Sequence, residues 1–162
     1  MPLFITFEGG EGSGKSTQAR LLYRRLNQLD VPVVITHEPG VTSLGKKVTR
    51  LLKWQEQLEI SPMAELLLFN VSRAQLVEKV IRPALDNSQI VICDRFADSS
   101  VAYQGYGRGL EITLVEQVND IATAGLKPDL TFFLDMPAEA ALSRIKNNKD
   151  RFEKESAVFH ER

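Results

Sequence analysis

The chain of 162 residues has one cysteine, Cys93, so no disulfide can form within it, which suits a reducing compartment. A small apolar thiol inside an apolar run is expected to be buried in a strand. The only histidines, His37 and His160, lie far apart, which leaves no metal-type spacing and no Ser-His-Asp or Cys-His arrangement. There is no excess of positive charge. Twenty Lys and Arg face twenty-one Asp and Glu, for a net charge of -1 and a pI of about 6.1, which argues against a nucleic-acid or anionic-membrane surface as partner. No apolar run approaches the roughly 18 residues that a bilayer-spanning helix needs. MPLFITFEGG meets its glycines too early for a signal peptide. Internal repeats, low-complexity tracts and an interdomain linker are also missing. These absences fit one cytoplasmic domain with an ordinary core, at 43% hydrophobic residues.

What is present is an alternation. The short apolar runs Leu3 to Phe7, Val33 to Thr36, Ile90 to Cys93 and Leu130 to Leu134 predict strands. Between them, helical spacing predicts helices over 14–29, 43–53, 62–81, 113–123 and 137–145. Gly105, Gly107 and Gly109 predict a loop. Short continuous apolar strands alternating with helices imply an α/β fold, a parallel sheet covered by helices on both faces. The chain reaches its end inside a helical pattern without a cap, so either a further C-terminal portion of the domain follows or the last helix is exposed.

Gly9-Gly10-Glu11-Gly12-Ser13-Gly14-Lys15-Ser16 matches G-x-x-x-x-G-K-[ST], with an apolar strand before it and a helix after it. Glycines let the backbone wrap phosphate oxygens with its N–H groups, and the helix N-terminus adds a favourable dipole. Gly10, Glu11, Gly12, Ser13, Gly14, Lys15, Ser16 and Thr17 are therefore the expected ATP-binding loop. Lys15 would sit on the β and γ phosphates, and Ser16 would offer its hydroxyl to Mg²⁺.

Asp94-Arg95 ends the third strand, where ligands of open α/β sheets bind. The pair reads either as a surface ion pair or as a metal-side carboxylate with a phosphate-binding arginine. Asp135 ends the fourth strand and reads preferentially as a cap for the helix from Pro137, with a metal-side carboxylate as the alternative. Arg144, Lys146, Lys149 and Arg151 form a basic cluster, either a solvated face or a lid over a transferring phosphoryl group. A phosphorylated acceptor needs positioning and charge neutralisation rather than a general base. An arginine-rich, histidine-poor loop protein therefore suits phosphoryl transfer to a phosphate.

The segments FEGGEGSGKST, EPG, LLLFNVSRAQ, DRFADSSVAYQG and DRFEKES, in that order, resemble bacterial thymidylate kinases from Phe4 to about Arg162. The resemblance implies a three-layer P-loop NTPase fold over 1–162, with a lid at 145–152, a homodimer, and transfer from ATP-Mg²⁺ to dTMP. It implies that Phe69 stacks on thymine, Arg73 donates to a thymine carbonyl, and Ser100 and Gln104 contact the base edge. Arg95 would hold the dTMP phosphate, Glu11 would meet the sugar or its neighbouring water, and Tyr103 would crowd the 2' position. Asp94, with Ser16, would hold the metal, and Arg151 would face the transferring group beside Lys15. Read without the resemblance, Phe69 and Tyr103 suit the core equally well.

Three positions depart from the family pattern: His37 replaces an arginine, Val41 a glycine, and Thr49 a phosphate-binding arginine. Arg50 stands one place on, turned by about 100° on a helix. Two other functions fit the sequence less well. A nucleoside monophosphate or deoxynucleoside kinase of another specificity would, if it acts on a hydroxyl, need a carboxylate base such as Glu8 or Glu38. A regulatory NTP switch would leave FNVSRAQ and DRF without a purpose.

Overall fold

Four apolar runs form four parallel strands in the computed structural model, which describes residues 2–55, 57–144 and 150–161. β1 (Leu3–Glu8) lies between β3 (Ile90–Asp94) and β4 (Leu130–Phe133), and β2 (Val33–His37) flanks β3, giving the order β2-β3-β1-β4. The register sets Phe7 beside Asp94 and His37 beside Asp94, so the carboxyl ends of three strands finish in one row.

Strand alternation divides the core between two faces. Ile5, Phe7 and Ile92 pack against Ala19 of α1 (Lys15–Gln28). On the opposite face, Phe4, Val91 and Cys93 pack against Leu76, Val77 and Ile81. Val91 and Ile92 are wholly buried, and each such side chain contributes about 1.5–3 kcal/mol. The Cys93 thiol is buried as expected, and burial raises its pKa. This is the three-layer arrangement inferred from the alternation. β4 differs from the expected buried strand: it is an edge, and Leu130, Phe132 and Phe133 are exposed among the described residues.

Helices α2 (Ser43–Trp54) and α3 (Pro62–Leu76) begin at Thr42 and Ser61, whose hydroxyls accept from Gly45 N and Ala64 N. The expected stop near Pro83 is overtaken. A π-helical segment, Val77–Ile81, runs into α4 (Arg82–Asp86), and its widened turn gives room for the proline ring against the carbonyl four residues back.

The glycine loop expected at Gly105, Gly107 and Gly109 is corrected in part, since only Gly109, at φ 78°, lies in a turn. Residues from α5 (Ala97–Ser100) through a π-helical segment, Val101–Gly107, are wound into a helix. Gly105 and Gly107 serve close packing there: a Cβ would meet the Ile112 and Phe159 side chains at 2.5 and 2.6 Å. α6 (Ile112–Thr123), α7 (Ala138–Leu142) and α8 (Ala157–Glu161) complete the described helices. None of the described helices is long and apolar enough to cross a membrane.

Candidate active site

The loop between β1 and α1 turns through Gly9, Gly12 and Gly14, all at positive φ. Lys15 is buried. Its ammonium donates to Gly10 O at 2.6 Å and approaches Ser13 Oγ at 3.5 Å, which bends the loop around the side chain. Burial is the main reason that its pKa falls to about 8; Arg95 adds to the fall, and Glu11 and Asp94 oppose it. The Ser16 hydroxyl donates to the Asp94 carboxylate. Two oxygen ligands thus converge from different elements. Among the described residues no group of three His, Cys, Asp or Glu forms a metal cage. That donor set fits Mg²⁺, which takes most of its ligands from phosphate and water. Lys15, Ser16 and Asp94, with Gly12, Gly14, Thr17 and Arg144, line a cavity of about 870 Å³, while Gly10 and Ser13 of the expected loop do not line it.

Arg95 follows β3 at φ 70°, a left-handed conformation uncommon for arginine. Its backbone is fixed by hydrogen bonds on both sides. Arg95 N donates to Phe7 O at 3.0 Å, and Phe96 N donates to Glu8 Oε1 at 2.6 Å. Ser99 Oγ donates to Glu8 Oε2 at 2.6 Å, so Glu8, raised by burial, is fully used in holding this turn. The Arg95 side chain pairs with Glu11 at 2.8 Å and donates to Ser99 Oγ at 3.1 Å and Tyr103 Oη at 3.3 Å. Burial alone would raise the Glu11 pKa, but Arg95, Lys15 and Lys53 outweigh it and the net direction is down. Burial carries the Tyr103 phenol up to about 12, so it stays a neutral hydroxyl.

A second, much smaller cavity of about 40 Å³ lies beside the first. Phe69, Arg73, Ser100, Tyr103, Gln104 and Phe152 line it. Together with Glu11, all six positions expected to meet a base or sugar are therefore gathered in one place. Glu11, Glu38, Lys53 and Arg95 line both cavities, making a charged junction between them.

Arg73 is 1% exposed, and its guanidinium is engaged inside the protein. It donates to Glu38 at 2.8 Å, Asn119 Oδ1 at 2.6 Å, Asn70 Oδ1 at 3.2 Å, Phe96 O at 3.0 Å and Ser100 Oγ at 3.0 Å. A base carbonyl would therefore have to take over one of these bonds, the one to Ser100 lying on the cavity wall. Glu38 Oε1 is buried without a hydrogen-bond partner among the described residues. Burial, partly offset by Arg73, pushes the Glu38 pKa up to about 7.

Arg151 is placed away from the nucleotide loop. It donates to Glu65 and lines a separate groove with Ser61 and Pro62, while Arg144 of the same basic cluster lines the loop cavity. Lys146, Lys149 and positions 145–149 of the expected lid lie outside the described residues. Asp150 and Phe152 are described: Asp150 pairs with Lys53 at 2.8 Å, and the Phe152 ring sits 5.5 Å from Phe69 and 6.1 Å from Tyr103.

Asp135 does not cap a helix. α7 starts after Pro137 with no side-chain cap, and Asp135 is exposed on a third cavity beyond β4. Thr49 spends its hydroxyl on Gly45 O at 2.8 Å, and the exposed Arg50 lines neither cavity. Lys53 does line both. It lies four residues from Thr49, on the same helix face, and that spacing was the signal by which sequence alone could have found it.

A nucleotide loop, a hydroxyl–carboxylate pair for a metal, and a junction of arginine, lysine and glutamate leading to an aromatic cavity define a P-loop phosphotransferase acting between two nucleotides. The comparisons give the family. The family model described as "Thymidylate kinase" matches residues 7–162. A thymidylate kinase of Dehalococcoides mccartyi is 60% identical over 163 residues, covering 100% of this chain and 79% of its own. One from a Synechococcus species is 52% identical, covering 99% of this chain and 76% of its own. The crystal structure of thymidylate kinase from Ehrlichia chaffeensis superposes with a TM-score of 0.79 at 42% identity, over 88% of this chain and 81% of that one. The chain belongs to the thymidylate kinase family.

Proposed function

We propose that this protein transfers the γ-phosphoryl group of ATP to the phosphate of dTMP, giving ADP and dTDP. The observation that carries the reading is the shared wall of the two cavities. Glu11, Glu38, Lys53 and Arg95 face both, so a triphosphate on the loop and a monophosphate on Arg95 would meet there.

The roles follow from charge and position. Backbone N–H groups of 10–17 and the start of α1 cradle the triphosphate. Lys15 neutralises its terminal phosphates. Ser16 and Asp94 would hold Mg²⁺, whose charge screens the same oxygens when bound. Arg95 and Lys53 hold the acceptor phosphate, an anion already nucleophilic, so the step needs alignment rather than a base. Arg144 from the loop side supplies further positive charge, and Arg151 reaches it only by leaving Glu65. Phe69 stacks the base with Phe152 closing over it, and Tyr103 crowds the sugar beside Glu11.

Among the described residues, Leu67 and Val71 leave an exposed apolar strip on α3, which supports a homodimer through helix faces. Cytoplasmic residence agrees with the single buried thiol.

The test is ADP release with ATP-Mg²⁺ and, separately, dTMP, dUMP, dCMP, dGMP, AMP and thymidine. Turnover is expected with dTMP. Turnover of thymidine without dTMP would overturn the reading and make Glu38, with its free carboxylate oxygen at the junction, the base of a nucleoside kinase.

A further inference from the structure

Glu65, on α3, is 1% exposed and touches neither the nucleotide loop nor the charged junction. Every described partner of its carboxylate is a donor. Oε1 accepts from Gln104 Nε2 at 2.8 Å and from Arg108 Nε at 3.1 Å; Oε2 accepts from Arg108 Nη2 at 3.2 Å and from Arg151. Gln104 is equally buried, yet it lines the small cavity beside Phe69 and Tyr103.

A glutamine amide has a donor end and an acceptor end of nearly equal shape, so packing alone does not choose between its two flips. A carboxylate flanked by two guanidinium groups chooses, because it can only accept. The Gln104 NH₂ must face Glu65, and the carbonyl oxygen is left as the end turned away from it.

We infer that Glu65 is the positioning residue for nucleobase choice: by fixing the Gln104 amide, it makes the cavity present an acceptor to the base edge. The inference rests on the proposed use of this cavity for a pyrimidine. Thymine and uracil carry a hydrogen on N3 and match an acceptor. Cytosine carries a lone pair there, and two acceptors facing each other in a desolvated cavity are unfavourable. Discrimination by a fixed polar group in a buried site is strong, because the mismatched partner leaves both groups unpaired.

The test is Glu65→Gln, assayed by kcat/KM for dTMP, dUMP and dCMP alongside the wild type. A glutamine at 65 can donate or accept, so the flip of Gln104 is released. The dTMP:dCMP ratio is expected to fall about tenfold, the worth of one hydrogen bond, while the dTMP:dUMP ratio stays within about twofold. A parallel loss on all three acceptors, as a merely structural role would give, overturns the inference, as does an unchanged dTMP:dCMP ratio. If a thermal melt shows E65Q unfolded, Glu65→Asp replaces it. Keeping the carboxylate is expected to keep the ratio even as overall kcat/KM falls, and a collapsed ratio overturns the inference. A wild type that does not phosphorylate dTMP would instead sink the kinase reading beneath it.

Discussion

Arg95 and Glu11 meet at 2.8 Å, joining the turn after β3 to the nucleotide loop after β1. The pair lines both cavities, so an acceptor phosphate bound there as proposed would compete with the Glu11 carboxylate for the guanidinium. A bidentate arginine–phosphate contact made where charge builds up is worth about 10²–10³ in rate. Arg95→Ala is accordingly expected to lower kcat/KM for dTMP by that factor while leaving the ATP dissociation constant within about threefold. Steady-state kinetics and equilibrium ATP binding separate the two, and equal losses would remove Arg95 from the acceptor side.

Arg73 sits deeper. Its removal would strip a counterion from Glu38 and donors from Asn70, Asn119 and Ser100 at once. Breaking a buried pair of this kind costs about 3–5 kcal/mol. Arg73→Ala should therefore appear first as a loss of stability in urea unfolding, before any selective loss of dTMP use. A fully stable variant with a raised dTMP KM would show that the base, not the network, is the guanidinium's main partner.

Arg144 and Arg151 belong to one basic cluster but line different cavities. An arginine that meets transition-state charge is worth about 10³-fold or more in kcat. Arg144→Ala is expected to give the larger fall in kcat, with Arg151→Ala acting mainly on dTMP KM through the Phe152 segment. Single-turnover rates decide between them, and the reverse order would mean that Arg151 leaves Glu65 during the reaction.

Gly12 holds φ 79°, and a Cβ there would lie 2.8 Å from the Ala141 carbonyl carbon and closer still to its oxygen. Because the obstacle is backbone, it cannot swing aside. Gly12→Ala should lose about 1–3 kcal/mol of stability together with triphosphate binding. At Gly10 a Cβ meets nothing within 4 Å, so Gly10→Ala should hold its stability to within about 0.5 kcal/mol. Unfolding midpoints of the two variants test the contrast.

Glu38 gives stability a pH dependence of definite sign. Burial raises its folded pKa to about 7, above the ordinary 4.5. Between those values the folded chain holds a proton that the unfolded chain has shed, so stability falls as pH rises through the window. The contribution is at most about 3.4 kcal/mol, from 1.36 kcal/mol per unit. Glu38→Gln should lose this slope between pH 5 and 8 in urea midpoints; an identical slope in both proteins would count against it.

Much of the nucleotide half was legible because its signal is local. Gly9 to Ser16 fix a phosphate-wrapping loop through backbone freedom and one lysine, and the apolar run before them fixes the strand it leaves. Other features were misread for reasons that are equally physical. Pro83 marked a helix end, but the widened turn before it lets the helix continue. The glycines of 105–107 marked a loop, but they are there to let Ile112 and Phe159 approach a helix. Asp135 had the spacing of a cap, yet the helix after it is capped by no side chain.

The sequence by itself determined the fold class, the family and the phosphate loop, since each is carried by short local patterns: apolar runs, motif segments and one glycine-rich stretch. Only the tertiary structure decided how the distant charges pair: Arg95 with Glu11, Arg73 with Glu38, and Arg151 and Gln104 with Glu65. Those pairings join residues up to 86 positions apart, and no local pattern encodes them. Once the strands are in register and the groups are buried, each must find a partner or remain unfavourably bare, and that requirement shapes the cavity lined by Phe69, Arg73 and Gln104.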